Sequence, residues 1–63
     1  MTSEEVFNTF NSVLETTESS PFLKQLAKAA LVATPDDKAL IMRSWPKLVQ
    51  NYGPGSSFYK EAA

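Results

Sequence analysis

The fold of this chain is decided by the stretch Pro21-Phe22-Leu23-Lys24-Gln25-Leu26-Ala27-Lys28-Ala29-Ala30-Leu31-Val32-Ala33. Ten of its thirteen positions are apolar or proline, and the polar ones are Lys24, Gln25 and Lys28. On a helix of 3.6 residues per turn these three lie on one narrow stripe. A helix that is apolar over most of its circumference is normally buried on several sides. The sequence therefore predicts that this stretch is the central helix of a small all-α domain.

The length of 63 residues allows one domain, spanning residues 1–63. A chain this short buries only about 60% of the surface that its unfolded form exposes, so its core is marginal. Small domains usually add disulfides, a metal or a partner subunit. The chain has no Cys and no His, which excludes disulfides and argues against a zinc site. By elimination, the sequence predicts a homodimer or binding to another protein, and it predicts no cofactor.

Charge is distributed unevenly along the chain, although the net charge is only −1. Residues 1–20 carry four glutamates and no Lys or Arg, whereas residues 21–50 carry five basic residues against two aspartates. The acidic first helix can therefore pair with the basic remainder, within the chain or across a dimer. The alternative is that these charges only keep helix surfaces solvated, because exposed ion pairs contribute only about 0–1 kcal/mol.

The amino-terminal residues do not have the pattern of an export signal. The start is acidic, with Glu4 and Glu5, whereas the first part of a secretory signal is basic. The longest uninterrupted apolar run covers residues 29–33, far short of the roughly 20 residues that cross a bilayer. The sequence predicts a cytoplasmic protein with no membrane contact.

The first helix is expected near residues 3–17. Thr2 and Glu5 form a T-x-x-E capping box at its start. Spacings of three and four place one apolar stripe along about four turns, formed by Val6, Phe7, Phe10, Val13 and Leu14. The opposite face is polar and consists of Asn8, Thr9, Ser12, Glu15 and Thr16. A run of Ser and Thr over residues 16–20 then ends the helix, because these side chains compete for backbone hydrogen bonds.

The next two helices are expected near residues 21–33 and 35–52. Ser20-Pro21 and Thr34-Pro35 each place a capping hydroxyl before a proline, which fits the first helical position. The connection between these helices is therefore only one or two residues long and forms a sharp corner.

Pro46 lies inside the third helical region and cannot donate a hydrogen bond to the carbonyl of Met42. Either one helix kinks at Pro46, or a helix ends near Arg43 and a new one begins with Ser44 as its cap. The continuous apolar stripe through this region favours the kink. Residues 53–63 then form a loop and a short C-terminal extension, which either docks its aromatic side chains on the core or frays.

Catalysis is not expected, because the chain lacks His and Cys, the commonest general bases and nucleophiles. Its carboxylates have local explanations as charges at helix starts or on solvated faces. The sequence therefore assigns no catalytic, cofactor-binding or metal-binding residue.

A nucleic-acid interpretation starts from the helix, tight corner and helix between Leu26 and Trp45, which is the outline of a helix-turn-helix. The candidate contacts to nucleic acid are Lys24, Lys28, Lys38, Arg43 and Lys47. Against this interpretation, Asp36 and Asp37 occupy the amino-terminal end of the second helix, where a recognition helix contacts bases. A small DNA-binding regulator is therefore the alternative function, and nucleic acid is not the favoured partner.

The chain carries seven aromatic residues, five of them in the three short helices that are expected. They either form the core of the monomer or line a helix-to-helix interface. Burying aromatic surface in a partner stabilises the complex by about 25 cal/mol per Å², and a homodimer with exchanged or antiparallel first helices would provide such a partner. The candidate interface residues are Phe10, Leu14, Trp45, Val49 and Tyr52.

Over its full length, from Met1-Thr2-Ser3-Glu4-Glu5-Val6-Phe7 to Ser57-Phe58-Tyr59-Lys60-Glu61-Ala62-Ala63, the chain resembles the small early proteins encoded between the exonuclease and excisionase genes of lambdoid bacteriophages. The resemblance lies in length and overall character, and no shared site motif can be placed on this sequence. It implies a non-enzymatic accessory protein of the bacterial host cytoplasm. Such a protein modulates phage development or host physiology by binding host or phage proteins.

Overall fold

A computed structural model describes residues 1–61 of the chain, so the last two residues of the expected C-terminal extension lie outside the described residues. It contains four α-helices, α1 (Ser3–Glu15), α2 (Pro21–Leu31), α3 (Pro35–Ser44) and α4 (Pro46–Tyr52). No strand occurs over residues 1–61. The all-α prediction is confirmed.

The capping box at the start of α1 forms as predicted. The Glu5 backbone N–H donates to Thr2 Oγ1 at 3.1 Å, and the Thr2 backbone N–H donates to Glu5 Oε1 at 2.8 Å. The helix ends at Glu15, two residues before the predicted end. Ser19 Oγ lies 2.7 Å from the carbonyl oxygen of Val13 and 2.8 Å from that of Thr16. This hydroxyl therefore satisfies carbonyls that the end of the helix leaves free.

The starts of α2 and α3 are also confirmed. Ser20 Oγ accepts a hydrogen bond from the Leu23 backbone N–H at 3.2 Å, and Thr34 Oγ1 accepts one from the Asp37 N–H at 3.3 Å. Each cap is followed by a proline at the first helical position. α2 ends at Leu31, so residues 32–34 make the corner.

The preference for a kinked third helix is wrong, and the alternative of a break at Pro46 is correct. Trp45 has φ −124° and ψ 72° and separates α3 from α4. Its N–H still donates to the carbonyl of Ile41 at 3.0 Å, but Pro46 has no N–H, and a residue before proline is disfavoured in the helical region. Ser44, the expected cap, is the last residue of α3 instead.

The central helix is α1, and the prediction that α2 occupies this place is wrong. α1 packs against α2 and α4, and α3 packs against the same two helices. α2 buries only Ala27 and Ala30, whereas α1 buries five residues: Asn8, Thr9, Phe10, Ser12 and Val13. The buried apolar core consists of Phe10, Val13, Ala27, Ala30, Leu48 and Tyr52.

The polar face of α1 is largely buried rather than solvated. Its buried members are Asn8, Thr9, Ser12 and Thr16. The hydroxyls of Thr9, Ser12 and Thr16 each donate to the carbonyl four residues earlier, at 2.7 Å, so burial leaves them hydrogen-bonded. Phe7, which the sequence placed on the apolar stripe, is 44% exposed. The helix is therefore rotated relative to its expected orientation.

The cause of this rotation is the C-terminal segment, defined here as residues 53–61. It returns across α1, where the Lys60 backbone N–H donates to Ser12 Oγ at 2.8 Å. Asn8 Nδ2 donates to Tyr59 Oη at 3.1 Å. The ring of Phe58 lies 5.7 Å from that of Tyr52. Of the two expectations for this part of the chain, docking is the one that the described residues show.

Candidate interaction surfaces

The described residues offer neither a metal site nor a membrane span. Over residues 1–61 no group of three or more His, Cys, Asp or Glu side chains is placed to hold a metal ion. No helix in the same range has the length and apolar character that a bilayer crossing requires. The surfaces that remain to be considered are those suited to binding other macromolecules.

The structure divides the five candidate interface residues into three groups. Phe10 is 0% exposed and Tyr52 is 6% exposed, so both are core residues of the single chain. Leu14 and Val49 are half-buried. Trp45 is 39% exposed and is the only member that presents a large open apolar surface.

Trp45 forms an exposed pair with Phe22, which the sequence did not single out. Phe22 is 57% exposed, and the two ring centroids lie 5.9 Å apart with planes tilted by 52°. Phe22 stands at the start of α2, and the break before Pro46 holds Trp45 at the end of α3. We call Phe22 and Trp45 the aromatic pair. A signal for it was the number of apolar positions on α2, most of which the neighbouring helices leave unburied.

Exposed apolar and basic residues lie close to Trp45 in the sequence. α3 contributes no buried residue to the core, and Leu40 on α3 is exposed. Arg43 and Lys47 lie two residues to either side of Trp45 in sequence, and both are exposed. Exposed aromatic side chains that contact one another, such as Phe22 and Trp45, are typical of sites that bind other proteins.

A second surface runs along the solvent-facing side of α1, and we call it the outer face of α1. Phe7 and the half-buried Leu14 lie one heptad apart on it, with the half-buried Asn11 between them. Exposed Glu4 and Glu15 flank these residues.

A groove between α1 and α2 borders the outer face. Its lining includes Leu14 and Thr17 on one side and Lys24 and Lys28 on the other. Over residues 1–61 no Lys or Arg forms an ion pair with an Asp or Glu. The pairing of acidic and basic parts that the sequence suggested therefore does not occur within the described part of the chain, and these charges stay accessible to a partner.

The candidate nucleic-acid contacts do not gather on one surface. Lys24 and Lys28 line the groove beside the carboxyl-terminal end of α1. Lys38 and Arg43 instead line cavities that include Val6, near the amino-terminal end of α1. Those two ends are separated by about 12 Å along the helix, from Val6 to Leu14, at about 1.5 Å per residue.

Exposed Asp36 and Asp37 remain in the first turn of α3, where phosphate contacts would be needed. We therefore expect duplex DNA to show no retardation by this protein in a gel-shift assay, even at low salt. Binding that weakens steeply with added salt would contradict this expectation, because that dependence is the signature of phosphate contacts.

Comparison of the chain with protein-family models, with characterised protein sequences and with solved structures finds no match.

Proposed function

We propose that this chain is a non-enzymatic accessory protein that acts by protein-protein interaction, and the exposed aromatic pair is the observation that carries this proposal. Rings of this kind dominate binding energy at many interfaces. At about 150–250 Å² per ring, the exposed parts of Phe22 and Trp45 amount to roughly 200 Å². Covering that area is worth about 5 kcal/mol, before the cost of association.

The exposed rings indicate the chemistry of the partner. Phe22 and Trp45 favour a protein that presents an apolar side chain able to cover the two rings. The resemblance to early phage proteins supports a host or phage protein as this partner, in the bacterial cytoplasm, with an effect on phage development or host physiology.

We further propose that the chain forms a homodimer. Its buried apolar core comprises six side chains, of which two are alanines. A domain of this size without disulfides or metal commonly gains stability from a second subunit, and the accessible charges of both signs suit such an association.

Site-specific photo-crosslinking tests the interaction at the aromatic pair. A photoreactive phenylalanine analogue at Phe22 is expected to give a discrete cross-linked protein in bacterial cells. The same analogue at exposed Gln50 on α4 is the matched control and should not give that product. Trp45→Ser, combined with the analogue at Phe22, should abolish it. Identical products from both positions would contradict the assignment of this surface.

A further inference from the structure

We propose that the cleft between α1 and α3 binds a small amphiphile with an aliphatic body and one anionic head group. The cleft consists of two adjoining cavities that share Val6 of α1 and Ala39 of α3 in their linings, and we call it the α1–α3 cleft. Neither Phe22 nor Trp45 lines it. The proposal is therefore independent of the interaction at the aromatic pair.

The lining of the α1–α3 cleft is mostly apolar. Its apolar members are Met1, Val6, Pro35, Ala39, Met42 and Val49. The larger cavity has a volume of about 370 Å³, within the range of about 300–1,000 Å³ that is typical of small-molecule sites. Methionine side chains are flexible and adapt to irregular apolar shapes. This lining therefore suits an aliphatic chain.

The charged side chains of the lining are both basic. Lys38 lines the smaller cavity and Arg43 lines the larger one, and among the described residues neither cavity includes an Asp or Glu. Neither cation has an acidic partner within residues 1–61. Lys38 is half-buried, whereas Arg43 is exposed. Because partly buried charge pairs are screened less than exposed ones, the anionic head group binds at Lys38 and the aliphatic body lies in the larger cavity.

The acidic residues of the same helices face elsewhere. Glu4 lines a separate cavity together with Glu5 and Asn8. On α3, Asp37 lies opposite the face that lines the cleft, and Asp36 lies about a quarter turn from the middle of that face, at 3.6 residues per turn. The spacings of three and four that define this face join Pro35, Lys38, Ala39, Met42 and Arg43. The cleft therefore presents positive charge beside an apolar floor, which selects an anionic amphiphile.

α3 can move outward to admit such a ligand at little cost. It contributes no buried residue, and it is bounded at each end by a residue that precedes a proline, Thr34 and Trp45. Elements with few buried apolar contacts open locally at low free energy. A helix of another protein, about 10–12 Å across with its side chains, is too large for this cleft, whereas a single aliphatic chain is not.

Titration of the isotope-labelled full chain with dodecanoate, below its micelle-forming concentration and followed by NMR, tests the cleft. Saturable binding of one ligand per chain is expected, with the largest chemical-shift changes in α3 and at Val6. Ala39→Phe should abolish binding while helicity is retained, because Ala39 is exposed and the new ring fills the part that both cavities share. Ala29→Phe, the same change at an exposed alanine of α2, is the matched control and should leave binding unchanged.

The charge of the head group is tested with dodecyltrimethylammonium, which carries the same aliphatic chain on a cationic head. It should bind at least about tenfold more weakly than dodecanoate, because the cleft offers it no acidic partner. Lys38→Gln should weaken dodecanoate binding about tenfold, since it removes the charge that holds the head group. Arg43→Gln removes an exposed charge from the same helix and should weaken binding no more than about threefold.

Three results would overturn the proposal: no saturable binding of dodecanoate, equal affinity for the two amphiphiles, or binding that Ala39→Phe leaves unchanged. Chemical-shift changes centred on Phe22 and Trp45 would place the ligand on the aromatic pair and would overturn it as well. If circular dichroism shows that Ala39→Phe does not fold, Lys38→Gln decides, and unchanged affinity in that variant contradicts the cleft. Sedimentation equilibrium of the unliganded chain tests the homodimer separately, because a chain that is monomeric at every concentration contradicts the homodimer and leaves the cleft standing.

Discussion

Phe10→Ala is expected to remove most of the stability of the domain. Phe10 is completely buried, and truncating a buried phenylalanine to alanine costs about 3–5 kcal/mol through lost transfer energy and the cavity left behind. A domain of this length has a total free energy of unfolding of roughly 3–9 kcal/mol, at about 0.05–0.15 kcal/mol per residue. Urea denaturation, followed by circular dichroism and by the fluorescence of the single tryptophan, Trp45, measures the loss.

Phe7→Ala is the matched control, because it makes the same chemical change three residues away on the same helix. Phe7 is partly open to solvent, so its truncation should cost no more than about 1 kcal/mol. Both variants are compared at a protein concentration low enough for the chain to be monomeric, so that association does not contribute. Equal losses at the two positions would contradict the orientation of α1. A Phe10 variant with altered association and unchanged folding would mean that Phe10 lies in an interface, as the sequence predicted.

The starts of the first three helices were predictable because their signals are local. At each start a hydroxyl side chain accepts a hydrogen bond from a backbone N–H three residues later, and Thr2, Ser20 and Thr34 all do so. The interaction involves residues close in sequence, so no knowledge of the tertiary fold is needed. The same reasoning fails at the start of α4, where Trp45 caps the helix without a side-chain hydrogen bond.

At Pro46 the backbone restriction of proline favoured a break, and the apolar stripe favoured a continuous helix. The structure follows the restriction of proline. The apolar stripe through this region is continuous in sequence, which favoured one kinked helix. A stripe reports only which side chains prefer burial, whereas proline removes a donor and restricts the backbone of Trp45 directly. The resulting break turns Trp45 towards Phe22. The aromatic pair could therefore not be predicted without deciding between a kink and a break at Pro46.

The orientation of α1 was not predictable, because it depends on residues far away in sequence. Phe7 and Phe10 belong to one apolar stripe, and nothing local distinguishes the exposed ring from the buried one. The difference arises because the C-terminal segment covers the polar side of the helix. Lys60 of this segment, whose N–H bonds to Ser12, lies 48 residues further along the chain. Short polar side chains that satisfy their own helix carbonyls can be buried there at little cost.

Gly53 illustrates a related difference between pattern and structure. A glycine after a helix usually supplies a left-handed conformation, but Gly53 has φ −82° and ψ 179°, which other residues adopt freely. Glycine is required here because the backbone at Gly53 passes close to the end of α4. A Cβ at this position would overlap the carbonyl oxygen of Val49. The Gly53 N–H donates to that same oxygen at 2.8 Å. Glycine therefore lets the C-terminal segment leave α4 directly towards α1.

Ser12→Ala is expected to release the C-terminal segment from α1. The Ser12 hydroxyl oxygen accepts the hydrogen bond of the Lys60 backbone N–H, and this donor is left without its protein acceptor in the variant. Losing a partly buried hydrogen-bond partner costs about 1–3 kcal/mol. The free energy of unfolding should fall by an amount in this range, and the Lys60 amide should exchange with solvent faster. The neighbouring hydrogen bond between Asn8 and Tyr59 should weaken with it, because both hold the same segment.

Thr16→Ala separates release of the segment from general weakening of α1. Thr16 and Ser12 each donate a hydroxyl to the carbonyl four residues earlier, at 2.7 Å, so both variants lose one such bond. Only Ser12 also bonds to the C-terminal segment. Hydrogen exchange at Lys60 should therefore accelerate in Ser12→Ala and stay unchanged in Thr16→Ala, even if the two variants lose similar global stability. Equal acceleration in both would mean that the segment follows the stability of α1 as a whole and that the Ser12 hydroxyl does not hold it in place.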